Sequence, residues 1–418
     1  MPMWMRVFFV VLLGATGFYV HRRASDALGL RRRGRVALGG LLVAGAVAAV
    51  LGRVVPEALS PAVAEGVTLA GSMVALGVII SVCLLLPVDL ARGVARLGQR
   101  LLEARRRRRA AKALTADAVP TEALAGSAPV TPVASIPMAR RAFLYRGATG
   151  AALVVGSGSS IYGSLFGRHD YRIEDVVVPI PGLARTLEGF TLVQLSDLHL
   201  GTFVGEAELR AAEALTREAR PDAIVITGDL LDHDEAYAGL LGRFLRRLVP
   251  LARHGVFAVP GNHDYYAGVE AVLSTVERAG AHVLRNAGRV LGDAGGAFGL
   301  LGVDDPWASR NRSGHAPDLG RALAMVPPEV PRVLLCHNPV FFPEAAGHVA
   351  LQLSGHTHGG QVNLIVRPAD VVLPYGYVAG MYERGPARLY VNRGFGTAGP
   401  PARVGSPPEV SRIVLVAA

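Results

Sequence analysis

Long apolar segments separated by short polar ones fill the first third of the chain. Three of them, at about residues 3–20, 36–54 and 67–88, approach or reach the length that a helix needs to cross the hydrocarbon core of a bilayer. A fourth, at residues 142–167, is apolar but interrupted by Gly and Ser. Four such segments in succession favour membrane helices over the core helices of a soluble domain. Residues 1–90 are therefore predicted to form a transmembrane region, with the fourth segment as a further span.

Residues 91–141 have a different pattern. Leu90, Val94, Leu97 and Leu101 recur at helical spacing, while arginines occupy another face. This arrangement indicates a basic amphipathic helix that lies on anionic lipid, or else a helix with a solvated basic face. The stretch from residue 113 to residue 137 is rich in Ala, Pro, Thr and Ser and is predicted to be a flexible linker.

Residues 168–418 contain short apolar runs, each followed by glycine or polar residues. Five such runs are residues 192–195, 223–227, 256–259, 333–336 and 351–353. Runs of this length that end in turn residues predict buried strands. We therefore expect an α/β domain in which the loops at one end of the packed strands carry the chemistry.

The distribution of charge separates the two regions. Residues 1–141 contain 19 Lys and Arg against 7 Asp and Glu, whereas the remainder contains 24 against 26. The excess of positive charge thus belongs to the membrane-proximal segments, and no nucleic-acid partner is implied for the second region.

The arginine-rich loops predict an orientation in the membrane. Residues 21–35 and 89–141 carry most of the basic side chains, so the positive-inside rule places both loops in the cytoplasm. The fourth apolar segment then delivers residues 168–418 to the outer face of a bacterial inner membrane. Arg140-Arg141-Ala142-Phe143-Leu144 also resembles a twin-arginine export signal, although it is internal and lacks an evident cleavage site. Both interpretations place the following domain outside.

Each of the five predicted strands is followed by a block of Asp, His or Asn residues. The blocks are Asp197-Leu198-His199, Gly228-Asp229-Leu230-Leu231-Asp232, Gly261-Asn262-His263-Asp264, His337-Asn338-Pro339 and Gly355-His356-Thr357-His358-Gly359. One block alone is compatible with a surface turn, because Gly, Asp and Asn favour turns. Together the blocks supply carboxylate, amide and imidazole donors, which first-row divalent metals prefer. Their coincidence, each behind a strand, predicts a two-metal site.

The order of these blocks resembles that of the calcineurin-like metallophosphoesterase superfamily, over roughly residues 186–418. The resemblance implies that Asp197, His199, Asp229 and His358 bind one metal, and that Asp229 bridges to a second metal. Asn262, His337 and His356 would complete the second site. Gly359-Gly360-Gln361 and the tail from Asn392 to Thr397 further resemble the membrane-attached bacterial phosphoesterases of that superfamily.

The resemblance also implies a fold and a mechanism. The fold would be a four-layer α/β/β/α sandwich that follows the helical transmembrane region. Two divalent ions (Mn, Fe or Zn) would clamp the phosphoryl group and activate a shared water as the nucleophile. His263, oriented by Asp232, would donate a proton to the leaving group. Four further side chains are candidates for substrate contact, namely Tyr265, Asp304, Trp307 and Arg393.

These expectations describe a membrane-anchored, metal-dependent phosphoesterase. Its substrate would be a phosphomonoester or phosphodiester, including those of lipids or envelope components near the bilayer. One alternative is a pyrophosphatase similar to UDP-2,3-diacylglucosamine hydrolase of lipid A biosynthesis, although nucleotide-activated precursors are cytoplasmic and the predicted orientation is outward. Another is a non-catalytic membrane sensor or scaffold, which the intact set of ligands argues against.

Overall fold

The apolar segments of the first 165 residues form helices in the computed structural model, which describes residues 3–54, 60–116, 137–293, 295–308 and 316–418. The helices are α1 (Met3–Ala27), α2 (Arg32–Val54), α3 (Pro61–Ala116) and α4 (Pro137–Leu165). The chain divides into two units, of which the first is Met1–Ala58 with Ala70–Ser160 and the second is Leu59–Leu69 with Ile161–Ala418. In the first unit, Arg23 of α1 contacts Asp89 of α3 at 3.1 Å and lies over the ring of Tyr145 in α4.

Two of the helices are long and apolar enough to cross a membrane, as judged over the described residues. Their candidate spans are Arg32–Val50 and a stretch within Ala62–Arg109. The other two predicted spans, residues 3–20 and 142–167, lie largely in the helices α1 and α4. The predicted amphipathic helix is continuous with the preceding apolar helix, because α3 runs through both and contains Pro87 without ending there. Most of the predicted linker, residues 117–136, lies outside the described residues.

The second unit is built on two six-stranded mixed sheets. The strands are β1 (Arg172–Ile180), β2 (Thr191–Leu195), β3 (Ala223–Thr227), β4 (Val256–Val259), β5 (His282–Val283), β6 (Ala287–Asp293), β7 (Gly296–Gly302), β8 (Arg332–Leu335), β9 (Leu351–Ser354), β10 (Gly380–Arg384), β11 (Ala387–Val391) and β12 (Glu409–Ala417). The first sheet has the order β1-β12-β2-β3-β4-β5, and the second has the order β10-β11-β9-β8-β7-β6. Strands β2 to β5 are parallel, as are β7, β8, β9 and β11.

Successive side chains of each strand point to opposite faces of its sheet, and this alternation produces the layers of the unit. Leu192 and Val193 are both fully buried, but Leu192 packs between the two sheets and Val193 packs beneath the helices outside the first sheet. This is the period of two that a strand buried on both faces requires. The helices of this unit are α5 (Glu206–Glu218), α6 (Ala238–Leu248), α7 (Asn262–Ala267), α8 (Val269–Arg278), α9 (Leu319–Leu323), α10 (Phe342–Ala345) and α11 (Ala369–Val372).

Helices cover both outer faces of the paired sheets. Apolar residues of α5, α6 and α8 pack on the first sheet, and those of α9 and α10 pack on the second. The predicted four-layer α/β/β/α arrangement is confirmed. Since the parallel strands of both sheets end at a common edge, the loops that follow β2, β3, β4, β8 and β9 meet there.

Candidate metal centre and active site

All seven side chains predicted as metal ligands lie at this common edge. Asp197 and His199 follow β2, Asp229 follows β3, Asn262 begins α7 after β4, His337 follows β8, and His356 and His358 follow β9. Backbone hydrogen bonds join the loops, since the amide of Asp197 donates to Gly228 and the amide of His199 donates to Asp229. The loops therefore form one scaffold for the predicted ligands.

The backbone of these loops is strained at the candidate ligands themselves. Five of them have a positive φ in the left-handed region, namely Asp197, His199, Asp229, His356 and His358. This conformation is unfavourable for residues with a Cβ atom and persists where the surrounding structure enforces it. The strain is thus concentrated where several short loops must direct polar side chains to the same point.

A first cluster joins the two sheets through Asp197, His199 and His358. His199 Nε2 lies 3.0 Å from His358 Nε2, and His358 Nε2 lies 3.5 Å from Asp197 Oδ1. All three residues are buried. The closeness of two ring nitrogens and a carboxylate oxygen makes this group a candidate site for one metal ion.

A second cluster contains Asp229, His337 and His356, with Asn262 beside them. His337 Nε2 lies 3.2 Å from each of Asp229 Oδ2, Asn262 Oδ1 and His356 Nδ1. His337 Nδ1 lies 2.7 Å from the carbonyl oxygen of Thr227, so in the neutral ring Nδ1 carries the proton and Nε2 presents a lone pair. Lone pairs of oxygen and nitrogen then converge on one point, which is the arrangement that a divalent cation fits.

Asp229 stands between the two clusters. Its Oδ2 atom lies 3.5 Å from His199 Nε2 of the first cluster and 3.2 Å from His337 Nε2 of the second. Its Oδ1 atom accepts a hydrogen bond of 2.8 Å from the backbone amide of His263, which fixes the carboxylate plane. One oxygen facing both clusters is the position that a bridging ligand requires.

Burial and the neighbouring charges perturb the pKa values throughout the centre. Burial opposes ionisation of Asp229, but His337 and His199 hold its pKa well below the usual range. Burial lowers the pKa of His356 to about 3, with His337 acting in the same direction. Burial, followed by His199 and Arg403, lowers the pKa of His358. His356 and His358 therefore remain neutral imidazoles, the form that binds metals.

His263 and Asp232 lie at the outer side of the first cluster. His263 Nδ1 is 3.2 Å from Asp232 Oδ1 and 2.9 Å from the Asp232 carbonyl oxygen. Asp232 Oδ1 also lies 3.4 Å from His199 Nδ1 and 2.9 Å from His233 Nδ1. Burial would lower the pKa of His263, but the hydrogen bond that its ring donates to Asp232 and the charge of Asp229 raise it to about 9. His233, which lies outside the five sequence blocks, thus also contacts the carboxylate of this pair.

Two glycines of the motifs are required by close approach. A Cβ atom on Gly261 would collide with Asp229 Oδ1 and with the amide of Asp229. A Cβ atom on Gly355 would collide with Ser196 Oγ and Asp197 Oδ2. These glycines therefore allow the loops to approach the ligand carboxylates.

Asp264 is a supporting residue of the third block, for which the sequence pattern predicts no role. It is fully buried, and its two oxygens accept hydrogen bonds from the amides of Leu230, Leu231 and Gly261 at 2.8–3.1 Å. It therefore ties the loop after β3 to the loop after β4. Its position next to His263 in the third block is the signal in the sequence that could have identified it.

Arg403 is a second unassigned residue, and no motif points to it. Its guanidinium is buried and donates to the carbonyl oxygens of Gly394, Gly396 and His358, and it lies 3.2 Å from His358 Nδ1. Burial lowers its pKa to about 10, while the carboxylate of Asp197 acts in the opposite direction. This residue holds the C-terminal loop against the first cluster.

The four candidate substrate contacts lie in different environments. Tyr265 Oη donates a 2.5 Å hydrogen bond to Asp304, and Arg285 donates to both residues, so this pair belongs to a network. Asp304 is buried. The ring of Trp307 packs edge-on against the ring of His356, with 4.4 Å between centroids, and thus contacts a predicted ligand.

Arg393, the fourth candidate, is held by carboxylates. Its guanidinium pairs with Glu174 of β1 and Glu409 of β12, each at 2.5 Å. The side chain also lines a cavity with Gly359, the residue after His358. The structure thus places Arg393 near the residue that follows His358, with its charge paired by two carboxylates.

Comparisons with known proteins agree with this geometry. Residues 190–360 match the family model described as calcineurin-like phosphoesterase. The chain is 31% identical over 290 residues to "Uncharacterized metallophosphoesterase YkuE" of Bacillus subtilis, covering 66% of this chain and 98% of that protein. It is 33% identical over 245 residues to a protein of Aquifex aeolicus named "Uncharacterized metallophosphoesterase", covering 58% of this chain and 91% of that one.

One relative has a name that refers to a membrane. The chain is 33% identical over 273 residues to "Transmembrane protein with metallophosphoesterase domain" of Danio rerio, covering 63% of this chain. The match spans 62% of the length of the zebrafish protein. Together with the two apolar helices, this likeness suggests that the present chain associates with a membrane.

Proposed function

We propose that this chain, which belongs to the calcineurin-like phosphoesterase family and is a hydrolase of the metallophosphoesterase class, cleaves phosphomonoester or phosphodiester bonds at a centre of two divalent metal ions. The observation that carries the proposal is the position of Asp229, whose Oδ2 faces the histidines of both clusters. A carboxylate in that position can serve two cations at once, which is the requirement for a dinuclear phosphoesterase.

In this proposal the two clusters divide the ligands. Asp197, His199, Asp229 and His358 hold the first metal, and Asp229, Asn262, His337 and His356 hold the second. When bound, the two cations supply Lewis acidity that lowers the pKa of a coordinated water and neutralises charge on the phosphoryl group. Asn262 contributes a neutral oxygen, which limits the negative charge that an incoming phosphate meets.

His263 is proposed as the proton donor to the leaving group. Its Nδ1 faces the carboxylate and the carbonyl of Asp232. Those contacts orient the ring so that Nε2 is available to a substrate. A positioned imidazole of this kind contributes about 10²–10⁴-fold to the rate of proton transfer reactions. Asp232 thus acts through His263, as an orienting residue.

The chain is further proposed to be anchored in the bacterial inner membrane, with the catalytic unit on the outer face. The arginine-rich loops at residues 21–35 and 89–141 support this orientation through the positive-inside rule. Substrates at that surface would include phosphoesters of lipids or of envelope components. An outward site would not meet the cytoplasmic nucleotide-activated lipid that the pyrophosphatase alternative requires.

The test is hydrolysis by the full-length protein, purified in detergent and loaded with Mn²⁺. The panel contains an aryl phosphate, an aryl phosphodiester, a phospholipid and a nucleotide-sugar lipid. Hydrolysis of either aryl ester that depends on metal and is lost on chelation is the expected result. Metal-independent turnover, or no turnover with any member while two metals are bound, would contradict the proposal. Selective hydrolysis of the nucleotide-sugar lipid would favour the pyrophosphatase.

A further inference from the structure

An unusually exposed apolar loop lies between β9 and β10 of the catalytic unit. Its most exposed side chains are Ile365 (90% exposed), Val371 (89%), Val372 (78%) and Val366 (71%). They form two runs, and the ion pair between Arg367 and Asp370, at 2.7 Å, lies between the runs in the sequence. Scattered exposed apolar residues are ordinary on a soluble domain, but contiguous ones mark a surface that another apolar phase covers.

The base of this loop is fixed to the fold. Asn363 donates from its amide to Val404 at 2.7 Å, and the Val404 amide donates to Gln361 at 2.9 Å. The Asn363 side chain also donates to the carbonyl oxygen of Gly359, the residue after His358, at 2.8 Å. The apolar side chains are therefore held out from an anchored base, next to a predicted metal ligand.

The same base packs against the end of an apolar helix. The Arg403 amide donates to the Gly163 carbonyl of α4 at 3.0 Å, and a Cβ atom on Gly163 would lie 2.7 Å from a methyl carbon of Val404. Four side chains at this end of α4 are apolar and exposed, namely Ile161, Tyr162, Leu165 and Phe166. The base of the exposed loop thus packs against a helix end whose own apolar side chains are exposed.

The start of a second apolar helix belongs to the same unit. Residues 59–69, which include the first turns of α3, cluster with residues 161–418, and Arg168 lies 3.8 Å from Glu65. A candidate membrane span runs within Ala62–Arg109 of that helix. The catalytic unit therefore contains the ends of two apolar helices in addition to the exposed loop.

The composition of the loop fits lipid better than a protein partner. Its exposed tips are aliphatic, whereas the core of a protein interface is enriched in Trp, Tyr, Met and Arg. Arg367 follows the first run and Tyr375 follows the second, and amphipathic residues of this kind lie at the boundary between acyl chains and headgroups. A bilayer is also the apolar phase that would surround the apolar parts of helices α3 and α4.

We propose that the loop from Leu364 to Tyr375, together with the end of α4, docks the catalytic unit onto the lipid bilayer, and that the enzyme takes phosphoesters of membrane lipids from it. The choice of substrate rests on the proposed function. A cavity of about 490 Å³ at the base of the loop is lined by Leu364, Ile365 and Val366 together with Gly359 and Arg393, and Gly359 is the residue after His358. The docked surface thus adjoins the loop that carries a predicted metal ligand.

Depth-dependent quenching tests the docking directly. The full-length protein carries Cys83→Ser, while the buried Cys336 is retained. An environment-sensitive fluorophore is placed at Ile365→Cys or Val371→Cys, and the protein is embedded in nanodiscs of phosphatidylethanolamine and phosphatidylglycerol. Val290→Cys is the matched control, because Val290 is an exposed valine on the edge strand β6 of the same unit.

The expected result is a blue-shifted emission at positions 365 and 371 that brominated acyl chains quench, with neither effect at position 290. Equal emission at all three positions in brominated and ordinary lipid would overturn the proposal. A contact between two copies of the chain would instead give energy transfer between differently labelled copies and no quenching by bromine. That result would also overturn the proposal.

Activity separates this inference from the proposed function. The double variant Val371→Asp, Val372→Asp should lose most hydrolysis of phosphatidic acid in vesicles and keep hydrolysis of an aryl phosphate in water, whereas Val290→Asp should keep both. Equal loss of both activities in the double variant would overturn docking as the cause. A parent protein that hydrolyses neither ester refutes the proposed function, while the quenching result still decides whether the loop enters the bilayer.

Discussion

Replacing Asp229 by asparagine tests the dinuclear centre most directly. The change keeps the shape of the side chain, and the amide oxygen of asparagine can still accept the hydrogen bond from the His263 backbone that Asp229 Oδ1 accepts at 2.8 Å. What is lost is one negative charge that faces both clusters, 3.5 Å from His199 Nε2 and 3.2 Å from His337 Nε2. Asp229→Asn should therefore weaken both metal sites together.

The size of the effect follows from the geometry. Two unit charges about 4 Å apart, at an effective dielectric constant of about 20, interact by about 4 kcal/mol. That energy corresponds to about a thousandfold in affinity. Because the carboxylate is buried between both clusters, solvent screening does not remove this energy. We expect a loss of about a thousandfold in metal affinity and of most turnover.

The assay combines metal content with hydrolysis. Metal bound to the full-length protein is measured by mass spectrometry after loading with Mn²⁺ and gel filtration, and turnover is measured on an aryl phosphate. Asp175→Asn is the matched control, since Asp175 is an exposed aspartate of β1 that pairs with Arg412. Two bound metals and parental turnover in Asp229→Asn would refute the assignment of Asp229 as the bridge.

Three further predictions concern the proton donor, the buried arginine and the orientation. His263→Ala should retain both metals and lose about 10²–10⁴-fold in rate on esters with poor leaving groups, and an equal loss on aryl phosphates would argue for a structural role. Arg403→Met should lower the melting temperature and the metal content more than Arg403→Lys does, because it leaves several buried carbonyl groups without a donor; equal behaviour of the two variants would show that the hydrogen bonds of Arg403 do not matter. A reporter active only outside the cytoplasm should be active when fused after Gly167 and silent when fused near Ala113, and the reverse after Gly167 would return the catalytic unit to the cytoplasm.

Some features of the metal centre can be predicted from short stretches of sequence, and others cannot. Each predicted ligand follows a short apolar run, and the strands that these runs form end at one edge because they are parallel within their sheets. Sequence alone therefore indicates that the ligands meet. It does not indicate that one oxygen of Asp229 faces both clusters, because that fact depends on the packing of two sheets against each other.

The residues that support the ligands also differ in how far the sequence predicts their roles. Asp264 could have been suspected from its place beside His263, since a carboxylate after a strand often caps neighbouring amides. The role of Arg403 could not have been predicted, because the groups that it contacts are 7 to 45 positions away along the chain. One of them is His358 of the fifth block. A buried arginine has no periodic pattern that distinguishes it from a surface arginine, so only its contacts reveal its role.

The sequence by itself determined the apolar character of the N-terminal helices, the strands of the catalytic unit and the order of donors along the chain. These properties are set by local hydrophobicity and by the chemistry of individual side chains. The tertiary structure decided which donors touch and which apolar residues stay exposed. His199 and His358 lie 159 positions apart and meet at 3.0 Å only because their strands belong to two sheets that share a core. Leu353 and Ile365 are both aliphatic, yet one is buried between the sheets and the other is 90% exposed, because burial depends on what the rest of the chain places around each of them.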